Sequence, residues 1–201
     1  MALIDLLFEG TTSTGALRTF AVWCASRAWH LIESGNYDLD PRGRLRFARA
    51  LNTARREAHG CATVAELSAA WMDALDERAA KTGWWPERLA SRGAFGSAAH
   101  MAARFACRAT CHPDATVAAL SASHSTAWAI GYQAATACMG HELHHVAMES
   151  RGSSWRARWV NSLGVAQQIA DAAHGVEEGE HEGEFRRWTG EGAAARPYGR
   201  S

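Results

Sequence analysis

Apolar positions in this chain recur at steps of three and four for most of its length, and no stretch alternates with a period of two. That pattern predicts amphipathic helices and no sheet. Residues 1–10 read as an apolar-acidic lead-in and 11–15 as a polar break, with Ser13 or Thr14 placed to cap the next helix. From Ala16 to about Glu33, Leu17, Phe20, Cys24, Ala28 and Leu31 form one stripe, widened by Val22, Trp29 and Ile32. So wide a stripe predicts a helix central to the core. Asp40-Pro41 is a start signal for a second helix running to about His59, with Gly60 as its stop. Thr63-Val64-Ala65-Glu66 has the form of a capping box and opens a third helix, expected to reach about Lys81.

Further on, Ser97 is a candidate cap for a helix from Ala98 to about Thr110, and Asp114 for a long one from Ala115 to about Glu149. The long segment is rich in alanine and contains Gly131 and Gly140, which mark kinks or close approaches of another helix. A last helix is predicted from Trp155 to His174, with Trp159, Leu163, Ala166, Ala170 and Ala173 on its apolar face. From Gly175 the composition turns Glu/Gly/His-rich and then Gly/Ala/Arg-rich. The expected organisation is therefore one all-α, bundle-like domain of about six helices over residues 1–174. A flexible tail is expected over 175–201, with Phe185 to Trp188 as a short docked patch at most.

Composition narrows the function classes. The 201 residues are 47% hydrophobic, enough for one core. Lys+Arg and Asp+Glu both number 21, so bulk charge favours neither nucleic acid nor an anionic membrane. No apolar run approaches the ~20 residues of a membrane span. No basic leader precedes the first residues, and the five cysteines are an odd number, so the expectation is a cytoplasmic chain with reduced thiols. Nine tryptophans among many alanines suit helices packed closely, large rings against small methyls.

Two kinds of chemistry suggest themselves. The first is metal-dependent. His141-Glu142-Leu143-His144-His145 reads H-E-x-x-H, which on a helix sets His141 and His145 on one face for zinc, with Glu142 as general base. Asp171, His174, Glu177 and Glu178 stand at or near the distance at which such enzymes place a third ligand, the last two in the expected tail. The metzincin extension is missing, since Met148 and Arg151 stand where it needs Gly and His, and there is no strand to hold a substrate. With ten histidines in the chain, a chance occurrence is ordinary. A structural zinc site is a further arrangement, with Cys107 and Cys111 joining His141 and His145.

The second kind is protein binding. Arg42, Arg44, Arg46, Arg49, Arg55 and Arg56 spread around the second helix, as a solvated surface or as a docking surface for an acidic partner. Trp84-Trp85 cannot turn both rings into one core, which makes Trp84 and Trp85 candidate partner contacts alongside Arg42 and Arg46. Phe20 to Leu31, Asp40-Pro41-Arg42 with Arg44, Ala58-His59-Gly60 and Thr63 to Leu67 together resemble a family of alanine- and tryptophan-rich bacterial immunity proteins, related to polymorphic-toxin immunity. The likeness spans about residues 16–173 and is firmest over 16–70. It implies an all-helical fold and neutralisation of a toxin by direct binding, and it implies no catalytic residues. The expected function is thus a non-catalytic module that binds another protein, with no cofactor. The alternative is a zinc-dependent hydrolase built on His141, Glu142 and His145.

Overall fold

The computed structural model describes residues 12–33, 41–74, 95–148 and 155–189, and these form seven helices and no strand. They are α1 (Thr14–Arg27), α2 (Trp29–Glu33), α3 (Pro41–Ala58), α4 (Val64–Asp73), α5 (Phe95–Ala109), α6 (Ala115–Met148) and α7 (Trp155–Thr189). Among the described residues no helix is long and apolar enough to cross a membrane.

Helix ends follow local chemistry. Ser13 caps α1, its side chain accepting from the Ala16 N–H at 3.2 Å. Pro41 is the first residue of α3, where its missing N–H costs no helical bond. Gly60 sits at φ 71°, and the Cys61 and Gly60 N–H groups donate to the Arg56 and Glu57 carbonyls at 2.7 and 2.8 Å. That pair of bonds is the Schellman stop, which needs a left-handed residue at Gly60. The capping box is formed: Glu66 N–H donates to Thr63 Oγ1 at 3.2 Å, and Thr63 N–H to Glu66 Oε2 at 2.7 Å. Asp114 Oδ1 accepts from the Thr116 and Val117 N–H groups to open α6.

Three boundaries differ from the sequence reading. The single helix expected from Ala16 to Glu33 breaks at Ala28, where ψ is near zero, and resumes as α2. Ser97 lies inside α5, which starts two residues before it. The largest correction is at the C-terminus. The chain does not leave the fold at Gly175; α7 continues to Thr189, with Glu177, His181 and Phe185 buried. Phe185 is not an isolated patch but part of a core shared with α1 and α6. Residues 190–201 lie outside the described residues, as do 75–81, where α4 was expected to continue.

α1 is buried along a wide stripe, as its pattern predicts, and α6 is the most enclosed element. It packs against α7, α5 and α1, and between Ala118 and Tyr132 it is buried on several faces. Its alanines are what permit so many neighbours. One core joins α1 to α7 around Leu67, Phe95, Cys107 and Tyr132; a second gathers Leu17, Phe20, Cys24, Ala118, Ala122 and Phe185. Between α1, α3 and the α5–α6 connection lies Arg18, fully buried. It donates to Glu57 Oε2 at 3.0 Å and to the Thr110, His112 and Pro113 carbonyls.

Candidate functional site

The hairpin of α6 and α7 determines which polar groups meet. Its register is fixed by close pairs along its length: Glu142 with Ser162, Gly131 with Ala170, Trp128 with His174, Ser123 with His181. That register separates residues the sequence reading had grouped. His174 lies level with Trp128, so it stands roughly 20 Å along the axis from His141 at ~1.5 Å per residue. Asp171 lies roughly 15 Å away by the same measure. Neither reaches the H-E-x-x-H turn as a third ligand.

Glu142, the candidate general base, accepts a hydrogen bond from Ser162 Oγ at 2.9 Å. The side chains of His141, His144 and His145 lie outside the described residues. The cysteine version fares no better. α5 runs antiparallel to α6, with Phe95 against Tyr132 at 5.8 Å between ring centroids. Cys107 is therefore at the far end of that pair from His141, about 30 Å away by helical rise. Cys107 and Cys111 are core residues, and Cys111 Sγ donates to the Ala50 carbonyl at 3.1 Å. Burial pushes the Cys111 thiol up to about 11 and Cys107 higher still. Protonated and enclosed, they behave as small hydrophobic side chains.

What the hairpin does assemble is two adjacent polar clusters, whose Glu177, Glu178 and His181 the sequence reading placed in a flexible tail. In the first, Ser123 Oγ lies 2.8 Å from His181 Nδ1, and His181 Nε2 lies 3.0 Å from Glu177 Oε1, off the line of a good hydrogen bond. Arg27 of α1 clasps Glu177 through Nε and Nη2, the latter at 2.9 Å, and also pairs with Glu180. Burial raises the Glu177 carboxyl, but His181 and Arg27 beside it outweigh that and hold its pKa at about 2. Ser, His and Glu in contact have the composition of a charge relay. Here all three are buried, under Phe20, Trp23, Phe185 and Trp188. A nucleophile needs a reachable carbonyl, and Ser123 faces packed helices, so this cluster is a structural tie between α1, α6 and α7.

The second cluster lies one residue along, at the surface. His124, His174 and Glu178 place one ligand atom each within 4.8 Å of the others. Glu178 Oε1 is 3.6 Å from both His124 Nδ1 and His174 Nε2. Trp128 orients the rings: its indole N–H donates to His124 Nε2 at 3.1 Å, and its face lies 4.2 Å from the His174 ring. Burial lowers the His174 pKa, against the opposing pull of Glu178.

The expected partner contacts divide between described and undescribed residues. Trp84 and Trp85, and the side chain of Arg42, lie outside the described residues. Arg46 is exposed on α3 and pairs with Asp73 of α4 at 3.6 Å. Along the same exposed face run Leu45, Arg49, Asn52, Arg55, Arg56 and His59. The one acid of α3, Glu57, is turned inward to Arg18. Comparison with family models, with curated proteins and with solved structures finds no match.

Proposed function

We propose that the protein is a non-catalytic helical module that binds an acidic partner protein, immunity-like, through the exposed face of α3. The observation that carries the reading is the one-sided charge of that helix. It holds six arginines against a single glutamate, and the glutamate is used up inside the fold. The whole chain is neutral, so this face is a local feature that complementary acid charge would recognise. Leu45, half exposed among the arginines, adds an apolar point of contact. Arg46 and Arg56 are held by surface pairs to Asp73 and Glu66, each worth about 0–1 kcal/mol, so a partner's carboxylates can compete for them. Trp84 and Trp85 are proposed as further contacts because two adjacent tryptophans cannot both turn into one core, and a toxin is proposed as the partner on the resemblance of residues 16–70 to immunity proteins.

The test is to look for a toxin-domain gene beside this chain's gene and to co-express the two. Co-expression should rescue growth, and the purified pair should bind. Charge reversal at Arg49 and Arg55 should abolish rescue while leaving the thermal melt unchanged, because both side chains are exposed. Rescue that survives the double reversal, or a neighbouring toxin that the protein neither binds nor neutralises, would sink the reading.

A further inference from the structure

The geometry points to a divalent transition-metal site, of the zinc class, formed by His124 and His174 with Glu178 and joining α6 to α7. It does not depend on the partner-binding reading and lies away from α3.

Three observations carry it. First, the spacing is that of ligands around an ion rather than of hydrogen-bonded groups. Glu178 Oε1 stands 3.6 Å from a nitrogen of each histidine, beyond hydrogen-bond reach. Zinc bonds of about 2.0–2.1 Å in tetrahedral array set neighbouring ligand atoms about 3.3 Å apart. Both edges need to close by only a few tenths of an ångström, roughly the scatter of such distances. The third pair lies within 4.8 Å and closes by rotation of His124, whose side chain is half exposed.

Second, His174 Nε2 is shut off from water and has no hydrogen-bond partner. Its ring is held in place by the Trp128 face at 4.2 Å and by the His124 ring at 5.4 Å, edge on. A buried nitrogen without a hydrogen-bond partner, set beside a carboxylate it does not touch, is a group whose lone pair a metal ion can satisfy.

Third, the backbone is built for it. Gly131 lets α6 approach α7 closely enough that short side chains from both can share one ion, and His174 and Glu178 are one turn apart on the same face. Two imidazoles and a carboxylate suit zinc or cobalt(II) better than calcium or magnesium, which want oxygen ligands only.

The proton balance is specific. Trp128 N–H donates to His124 Nε2, which puts the ring proton on Nδ1, facing Glu178. A metal bound at Nδ1 displaces that proton, and the neutral ring then carries its proton on Nε2. The Trp128 bond must therefore break on loading. Trp128→Phe removes this competition and should bind metal at least as tightly as the parent.

The experiment is titration of the purified chain with cobalt(II) and zinc, read by visible absorption and by thermal melt. One cobalt per chain should develop the intense bands of a four- or five-coordinate ion, and zinc should displace it and raise the Tm. His124→Ala and Glu178→Gln replace half-exposed residues, so both should fold. Each should weaken binding by more than the ~10–100-fold that loss of a group supporting a ligand costs, and abolish the zinc-induced rise in Tm. His141→Ala with His145→Ala should leave both readouts unchanged. The site is overturned if cobalt stays six-coordinate with no change in Tm, or if binding is lost in the His141/His145 variant and kept in the other two.

Discussion

A methyl group placed on Gly131 would lie 2.5 Å from the carbonyl oxygen of Ala170. Real side chains do not approach so closely, and the obstacle is backbone in the middle of a helix, which cannot swing aside. Gly131→Ala should therefore destabilise the protein although alanine is the better helix former by about 1 kcal/mol. Overpacking of this kind costs about 1–3 kcal/mol, and the net loss should appear as a lower midpoint in urea. At Gly175 and Gly179 an added Cβ meets nothing within 4 Å. Alanine there should raise the midpoint, by up to about 1 kcal/mol each. A stabilised Gly131→Ala variant would mean that α6 and α7 do not touch where described.

Arg18 is the second relationship to test. Its guanidinium is buried, and its hydrogen bonds tie α1 to Glu57 of α3 and to three carbonyls of the α5–α6 connection. Removing it leaves a carboxylate and several carbonyl oxygens facing each other in the interior. Arg18→Ala should cost about 3–5 kcal/mol, a large share of a typical 5–15 kcal/mol fold. Arg18→Lys should recover only part of that, because one ammonium cannot reproduce the planar fork. Equilibrium denaturation of the two variants gives the comparison, and equal stability of lysine and arginine would contradict the geometry.

How much of this was legible in the residues alone varies with how local the cause is. Helix starts and stops at Ser13, Thr63-Glu66, Gly60 and Asp114 depend on residues within a turn of each other, and the sequence pattern places them correctly. Register between helices depends on where Gly131 meets Ala170, which no residue spacing along the chain encodes. His174 therefore looked like a partner of His141, when it faces His124 and Trp128. The C-terminal half of α7 was hidden for another reason. Two of its buried positions are Glu177 and His181, which read as solvated until Arg27 and Ser123 arrive from other helices to satisfy them. One signal was present: Ala170, His174, Glu177, His181, Phe185 and Trp188 continue the three-four spacing past Gly175.

That continuation can be tested by removal. Phe185 is buried against Phe20 at 5.0 Å between centroids and lies in the core shared with Cys24 and Ala122. Phe185→Ala should cost about 3–5 kcal/mol, as for a large core aromatic. A chain ending at His174 should lose more, since Ser123 and Arg27 then also lose their partners. A solvated tail would make both changes neutral in thermal melts.

The thiols make the last prediction. Cys24, Cys107 and Cys111 are buried, while Cys61 and Cys138 are exposed. In native protein two thiols should react with a chromogenic disulfide at once and three only on unfolding. Burial raises all three interior pKa values, Cys111 to about 11, Cys107 higher still and Cys24 well above the ordinary value near 9. Above that ordinary value the unfolded chain releases thiol protons that the folded chain retains, so stability falls as pH rises. For Cys111 the fall runs from about pH 9 to about 11, at up to ~1.4 kcal/mol per pH unit for each thiol. Cys107→Ala with Cys111→Ala should flatten that slope in denaturant titrations between pH 8 and 10 relative to the parent. An unchanged slope would mean that these two sulfurs already titrate normally in the folded protein, and hence that α3 and α5 do not enclose them.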